Sequence, residues 1–445
     1  TLLRGSKPEA TRGYISDVLT DEAMKFVAKA QQDEKPFFCY LAYNAPHSPY
    51  QVADKYFDKF KAKGFDDKLA AFYGMCENID DNVGRLLARL DELKQAEDTV
   101  VLFLTDNGGT AGVKTYNAGM RGGKTSLHEG GSRVPLFIRW PAAKWQPHVV
   151  KPIVAHVDLF PTLMDLCGVK PPEGPKVDGV SLRPLLQNGD VPWPDRTLFS
   201  HNPIDETNRY PAAVRNQRYR LVREIKGSGG GSKAKANDSS ATPWQLYDME
   251  ADPGQENDIA YERQETVQLL AAKYDEWFAD ISHGGLKRPA LPVGHAEQNP
   301  VELHAPQAYY DQPLRFASGP GFANDWLTGW TDLKAKVWFE TDVVTAGEYE
   351  MELAFACPEK DAGAKIRVSM GGQSLEAVVP AAEAREIPLP HRDAEGKERY
   401  RNREWGVLKM GSVMLPAGPV RLTVECLSKP GSQVIELKHV SLTRR

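Results

Sequence analysis

The chain has 445 residues, 41% of them hydrophobic, and a formal net charge of −5, which allows packed cores and about two or three domains. Lys and Arg are scattered, which argues against a nucleic-acid-binding protein, and no stretch is long and apolar enough to span a bilayer as a helix. The five cysteines (Cys39, Cys76, Cys167, Cys357 and Cys426) lie far apart with no CxxC, so neither a zinc site nor a dense disulfide framework is indicated.

The opening stretch, TLLRGSKPEATRGY, is polar, lacks an initiator Met and reads as the middle of something longer. Residues 17–30 place Met24, Val27 and Ala28 at helical spacing behind Thr20, a candidate N-cap, and Lys35-Pro36 ends the pattern. Residues 37–43 (FFCYLAY) read as a buried strand. His47 follows that strand's carboxyl end, as a turn residue or as a catalyst. Residues 66–95 form a long amphipathic helix whose Glu77, Asp80 and Asp81 belong to a solvated face. It leads into Val100–Leu104, an unbroken apolar run that reads as a strand buried on both faces, as in a parallel sheet.

That run stops at Thr105-Asp106-Asn107-Gly108. Ligands of open α/β sheets bind beyond the carboxyl ends of strands, and a carboxylate beside an amide oxygen suits a hard cation such as calcium. Taken alone, Asp-Asn-Gly is a turn. The glycine-rich segment 108–131 lacks the context of a phosphate-binding P-loop. Its glycines let backbone approach a ligand, and Lys124 places a cation where an anion would sit, or is an exposed loop lysine. His128 and Glu129 read as supporting residues. Residues 134–140 form a third buried strand, and residues 153–166 a short strand into a helix ended by Gly168.

Short antiparallel strands at 197–201, 212–215, 219–224 and 244–248 and a helix at 262–281 make a small α+β subdomain, with residues 227–240 a low-complexity loop tip. Residues 286–313 are rich in Pro and read as a surface linker. From residue 314 the pattern alternates (336–341, 348–354, 364–370, 374–379, 420–426, 434–442), a β-sandwich signature. Of its Trp326, Trp330, Trp338 and Trp405, most belong to the core, although each is a type that stacks on sugars.

PFFCYLAYNAPHSPY, ENIDDNVGRLLARLDEL, VLFLTDNGG, NAGMRGGKTSLHEGGSRVPLFIRWP, HVDLFPTLMDLCGV, DGVSLRPLL and LYDMEADPGQENDIA occur in the order and approximate spacing of the sulfatases. Together they resemble the arylsulfatase A-like branch of the alkaline-phosphatase superfamily, across residues 12–285. The tail is similar to the carbohydrate-binding-like sandwich of some bacterial arylsulfatases. The resemblance implies an α/β, alkaline-phosphatase-like fold. It divides the chain into a partial catalytic domain (1–195), an α+β subdomain (196–285), a linker (286–313) and a β-sandwich (314–445). It also implies hydrolysis of a sulfate ester on a sulfated carbohydrate or aryl sulfate, and a periplasmic or secreted location.

The same resemblance gives Asp106 and Asn107 as calcium ligands, Lys124 as a contact of the sulfate and its bridging oxygen, and His47 as proton donor to the leaving alcohol or partner of the sulfate. The family nucleophile is a formylglycine made in a C/S-x-P-x-R motif, which these residues lack. Further calcium and sulfate ligands belong before Thr1. The chain alone is therefore expected to be inactive, with a poorly stable sheet edge, and to need that upstream segment as a partner. The competing readings are a phosphoric-ester or phosphonate hydrolase on the same scaffold, and an inactive glycan-binding fragment.

Overall fold

Backbone hydrogen bonding follows the apolar periodicity in most of the chain and departs from it where strands are expected to be buried. The computed structural model describes residues 2–5, 7–170, 173–189, 191–202, 209–225, 241–283, 285, 288–319, 323–387 and 403–445. By internal contacts it divides into two units, Thr1–Val18 with Tyr43–Ile79 and Arg288–Arg445, and Leu19–Ala42 with Asp80–Lys287. This differs from the linear partition at residues 195, 285 and 313, because segments distant in the chain group together.

The first helix spans Ile15–Gln32 and the long amphipathic helix Asp67–Glu92. Thr20 is fully buried inside the first helix and does not cap it. Val27, Leu90 and Ala96 make one cluster, joined by Phe37 and Val101, so helical spacing here marks a core-facing stripe.

The strand readings need correction. Residues 37–43 form no strand, and Phe38 and Tyr40 are 75% and 82% exposed. Val101–Leu104 is a strand, but it pairs antiparallel with Leu136–Arg139, and Phe103, Leu104 and Phe137 are exposed. The third run likewise covers one face only, alternating partly buried and exposed. Buried parallel strands need neighbours on both edges and both faces, and the described residues supply one antiparallel neighbour. Residues 153–155 form no strand. His156–Asp158 is a 3-10 turn leading into the helix Leu159–Leu166. There the buried Asp158 accepts from Ala155 N, Val180 N and Arg196 Nη1 at 2.7–2.9 Å.

The subdomain forms as read. Leu198–His201, Ala212–Arg215, Tyr219–Arg223 and Gln245–Asp248 make a four-stranded antiparallel meander, and the helix Gln264–Ile281 packs Leu270 and Tyr274 on it. The low-complexity stretch 227–240 lies outside the described residues, as does most of the 202–210 loop.

Residues 286–313 are not a linker. Leu291–Val293 pairs parallel with Lys336–Val343, Val301–His304 pairs with Glu436–Arg444, and Tyr309–Tyr310 pairs with Lys336–Val343. Pro292 is tolerated there because it stands in an edge strand. The C-terminal region has two six-stranded sheets. One runs through 315–316, 327–328, 436–444, 347–356 and 406–415, with 301–304 also on 436–444; the other runs through 309–310, 336–343, 418–428, 365–370 and 373–378, with 291–293 also on 336–343. Their inner faces share one core that includes Trp330, Phe339, Phe355 and Leu437.

The tryptophans follow the core reading only in part: Trp330 alone joins the sandwich core, and Trp338 and Trp405 are partly buried. Trp326 and Trp330 are buried; Trp338 is covered by Tyr309 (centroids 5.8 Å, 12° between planes) and Trp405 meets Trp326 edge-on at 5.4 Å. Among the described residues no helix is long and apolar enough to cross a membrane.

Candidate active site

The Val101–Leu104 strand runs out into Thr105, Asp106 and Asn107, and the following glycine is locked in place. Gly108 N donates to Gly131 O at 3.0 Å, and a Cβ on Gly108 would stand 1.8 Å from Gly130 O, so no other residue fits without moving backbone. A Cβ on Gly123 would lie 2.9 Å from Gly109 O, one on Gly130 2.5 Å from Gly122 O, and one on Gly131 2.0 Å from Ser126 O. The glycines were expected to admit a ligand. They instead admit one backbone loop against another, so 105–109 and 121–131 form a single tightly closed cluster.

Asp106, Asn107 and Lys124 belong to that cluster. Lys124 N donates to Gly109 O at 2.9 Å, which ties its backbone two residues beyond Asn107. The next residue, Thr125, has φ of +74°, a costly conformation for a β-branched residue that persists only when its surroundings impose it. Asn117 Nδ2 bonds Met120 O and Gly122 O at 2.6 and 2.8 Å, holding the turn before Lys124. Among the described residues Asp106, which is exposed, and Lys124, which is partly buried, have neither side-chain hydrogen bond nor ion pair. Asn107 Nδ2 donates to Gly108 O at 3.1 Å, leaving its Oδ1 as an acceptor. A carboxylate and an amide oxygen fit as part of a calcium site, which takes six or more oxygens in total.

His47 stands in the other unit, exposed, in the turn after residue 44. Its Nδ1 lies 2.7 Å from Ser48 O.

Beneath the loops lies a buried charge pair that the sequence reading missed. Arg220, 3% exposed on the meander, donates from Nη1 to Glu129 Oε2 at 2.8 Å, from Nε and Nη2 to Leu127 O at 2.9 and 2.6 Å, and from Nη2 to Ser132 Oγ at 2.6 Å. Burial pulls the guanidinium down to about 10, opposed by Glu129, so it stays charged at neutral pH. Glu129 N also donates to the buried Gln255 Oε1 at 2.7 Å, and Arg121 reaches Tyr247 and Gln255 O. The reading of Glu129 as a supporting residue is consistent with these contacts. Its Arg partner is 91 residues away, and no spacing rule would find it.

His128 is buried at 3% exposure. Burial first, then the Arg121 and Arg220 charges, hold its ring well below the usual 6.5, at about 4. The unfolded chain therefore binds a proton in the window from pH 6.5 down to 4 that the folded chain refuses. Stability contributed by the neutral ring is complete above 6.5 and falls as pH drops through that window, by roughly 3 kcal/mol. His128→Phe is expected to flatten the decline in melting temperature between pH 7 and pH 4.5 in calorimetry, and equal slopes for the two proteins would contradict this.

Residues 4–169 match the Sulfatase family model, and residues 123–278 match that of the N-sulphoglucosamine sulphohydrolase C-terminal region. Together these matches place residues 4–278 in the sulfatase family. The "Uncharacterized sulfatase YdeN" of Escherichia coli is 29% identical over 291 residues, covering 56% of this chain and 51% of that protein. Human N-acetylgalactosamine-6-sulfatase is 30% identical over 189 residues, covering 42% of this chain and 34% of the relative. The chain thus spans about half or less of the length of these curated relatives. The crystal structure of Ps i-CgsB in complex with k-i-k-neocarrahexaose superposes with a TM-score of 0.54 at 29% identity, covering 62% of this chain and 56% of the other. The fold of this chain is accordingly the mixed α/β, alkaline-phosphatase-like one of its neighbours, followed by a sheet-rich C-terminal region.

Proposed function

We propose that this chain forms part of a sulfuric ester hydrolase acting on a sulfated carbohydrate. Lys124 would contact the sulfate group and Asp106 and Asn107 would hold one calcium ion; His47, which lies in the other unit, would by the family resemblance be the sulfate partner and proton donor. The observation that carries the reading is the closed loop cluster in which Lys124 N bonds Gly109 O, placing an ammonium that has no partner among the described residues on the same backbone cluster as the Asp106-Asn107 pair. A sulfate ester gains negative charge on its bridging oxygen as the S–O bond breaks, and a fixed cation aimed there lowers the barrier. Lys124 is that cation. His47, when its ring carries both protons, would give one to the leaving alcohol and be left as the neutral imidazole. When bound, calcium and formylglycine would supply, respectively, charge neutralisation at the sulfate oxygens and a hydroxyl nucleophile.

The nucleophile would come from a segment outside these residues, upstream of the chain. Two features support this. The sequence holds no C/S-x-P-x-R motif, and the 101–104/136–139 pair exposes Phe103, Leu104 and Phe137. An apolar patch of that kind on a sheet marks a surface made to be covered. The relatives include N-acetylgalactosamine-6-sulfatase and a structure holding k-i-k-neocarrahexaose, which favours a glycan ester over a small aryl ester as the natural substrate. Sulfated glycans are extracellular, which favours a secreted or periplasmic location.

The test compares two preparations in calcium buffer, this chain alone and the chain joined to the formylglycine-bearing segment. The joined protein is expected to hydrolyse a sulfate ester at least about 100-fold faster than the matching phosphate ester, and the chain alone to hydrolyse neither. Sulfate release by the chain alone, or an equal rate on phosphate, would overturn the proposal.

A further inference from the structure

The C-terminal sandwich carries a second cluster of metal-ligating side chains. On the Val301–His304 strand, Val301 and Leu303 turn into the core while Glu302 and His304 face outward. The neighbouring Glu436–Arg444 strand runs antiparallel and sets His439 directly opposite His304. The two imidazoles stand edge to face, with centroids 5.5 Å apart. Glu302 divides its carboxylate between them, Oε2 at 3.5 Å from His304 Nε2 and Oε1 at 3.9 Å from His439 Nε2. One ligand atom from each of the three residues lies within 4.8 Å of the others.

We propose that Glu302, His304 and His439 bind one divalent transition-metal ion of the zinc class. Two imidazoles and one carboxylate are the donors such ions select, whereas calcium and magnesium prefer oxygen alone. Bonds of about 2.0–2.2 Å to a tetrahedral ion place its ligand atoms a little over 3 Å apart, so small side-chain rotations on a rigid backbone close the site. The backbone is held: His304 N donates to Gln307 Oε1 at 2.9 Å, and both strands are hydrogen-bonded into the sheet. His439 Nδ1 is buried with no hydrogen-bond partner among the described residues. Lys438 is an opposing charge beside the group, and its ammonium is directed to Asn324 O and Oδ1 at 2.8 and 2.7 Å. Three protein ligands leave a fourth position for water or a sugar hydroxyl.

The experiment is zinc titration of the purified full chain by calorimetry, with its thiols blocked so that the exposed Cys39 and Cys167 take no metal. One zinc per chain is expected, with calcium failing to compete. His304→Ala and His439→Ala are expected to weaken binding by about 100-fold, and Glu302→Gln, at an exposed position that the fold does not need, by about 10-fold. Zinc affinity unchanged in Glu302→Gln and His304→Ala, or calcium bound as tightly as zinc, would overturn the assignment.

Discussion

Arg220→Met is expected to destabilise the meander unit by about 3–5 kcal/mol. The variant keeps the aliphatic bulk and removes every donor. Glu129 would then hold a carboxylate out of water beside Arg215 alone, whose Nε is 3.8 Å away, and Leu127 O and Ser132 Oγ would lose their partners. An uncompensated buried charge costs far more than the pair was worth, which is why the loss exceeds that for any exposed ion pair of this chain. The residual Arg215 contact places the expected value toward the lower end. Replacing both partners, as in Arg220→Met with Glu129→Leu, removes the stranded charge and is expected to recover most of the loss. Urea unfolding followed by fluorescence measures both, and a single-variant loss under about 1 kcal/mol would show that the pair does not fasten the 127–132 loop.

Where local pattern and tertiary setting agree, the sequence was legible. The meander strands alternate or run apolar over four or five residues and pair with their chain neighbours, so nothing distant was needed to recognise them. The sandwich strands alternate cleanly even though most pair with strands distant in the chain, and their inward residues form the core. Gly406–Leu415 was missed because Gly411, at φ +118°, breaks its alternation beside a register shift in the partner strand. The Pro-rich stretch misled because its strands are three or four residues long and find their partners far along the chain. Residues 37–43 misled in the opposite way: an apolar run says that a strand would be buried, and says nothing of what buries it.

The candidate site was legible as residue types at loop positions. Asp106, Asn107 and Lys124 fall on one closed backbone cluster, which spacing alone could suggest through the turn residues around them. The part played by the glycines was not legible, because Gly108 and Gly130 are required by contacts with each other's loops. Arg220 and the Glu302–His304–His439 group were invisible, since their partners come together only through sheet pairing.

The largest kinetic effect is expected at Lys124. Its ammonium has no ion-pair partner among the described residues, so removing it strands no carboxylate and leaves Lys124 N to hold Gly109 O through the backbone. A loss of activity in Lys124→Ala would therefore report missing charge at the sulfate, with the fold intact. Losing one fixed cation or donor aimed at developing charge costs about 10²–10³ in rate. The decisive measurement is kcat/KM for a sulfate ester with the intact protein, wild type against Lys124→Ala, alongside the melting temperature of each. A fall of about 100-fold or more at an unchanged melting temperature is the predicted result. Values within about twofold of wild type would place the chemistry somewhere other than this loop cluster.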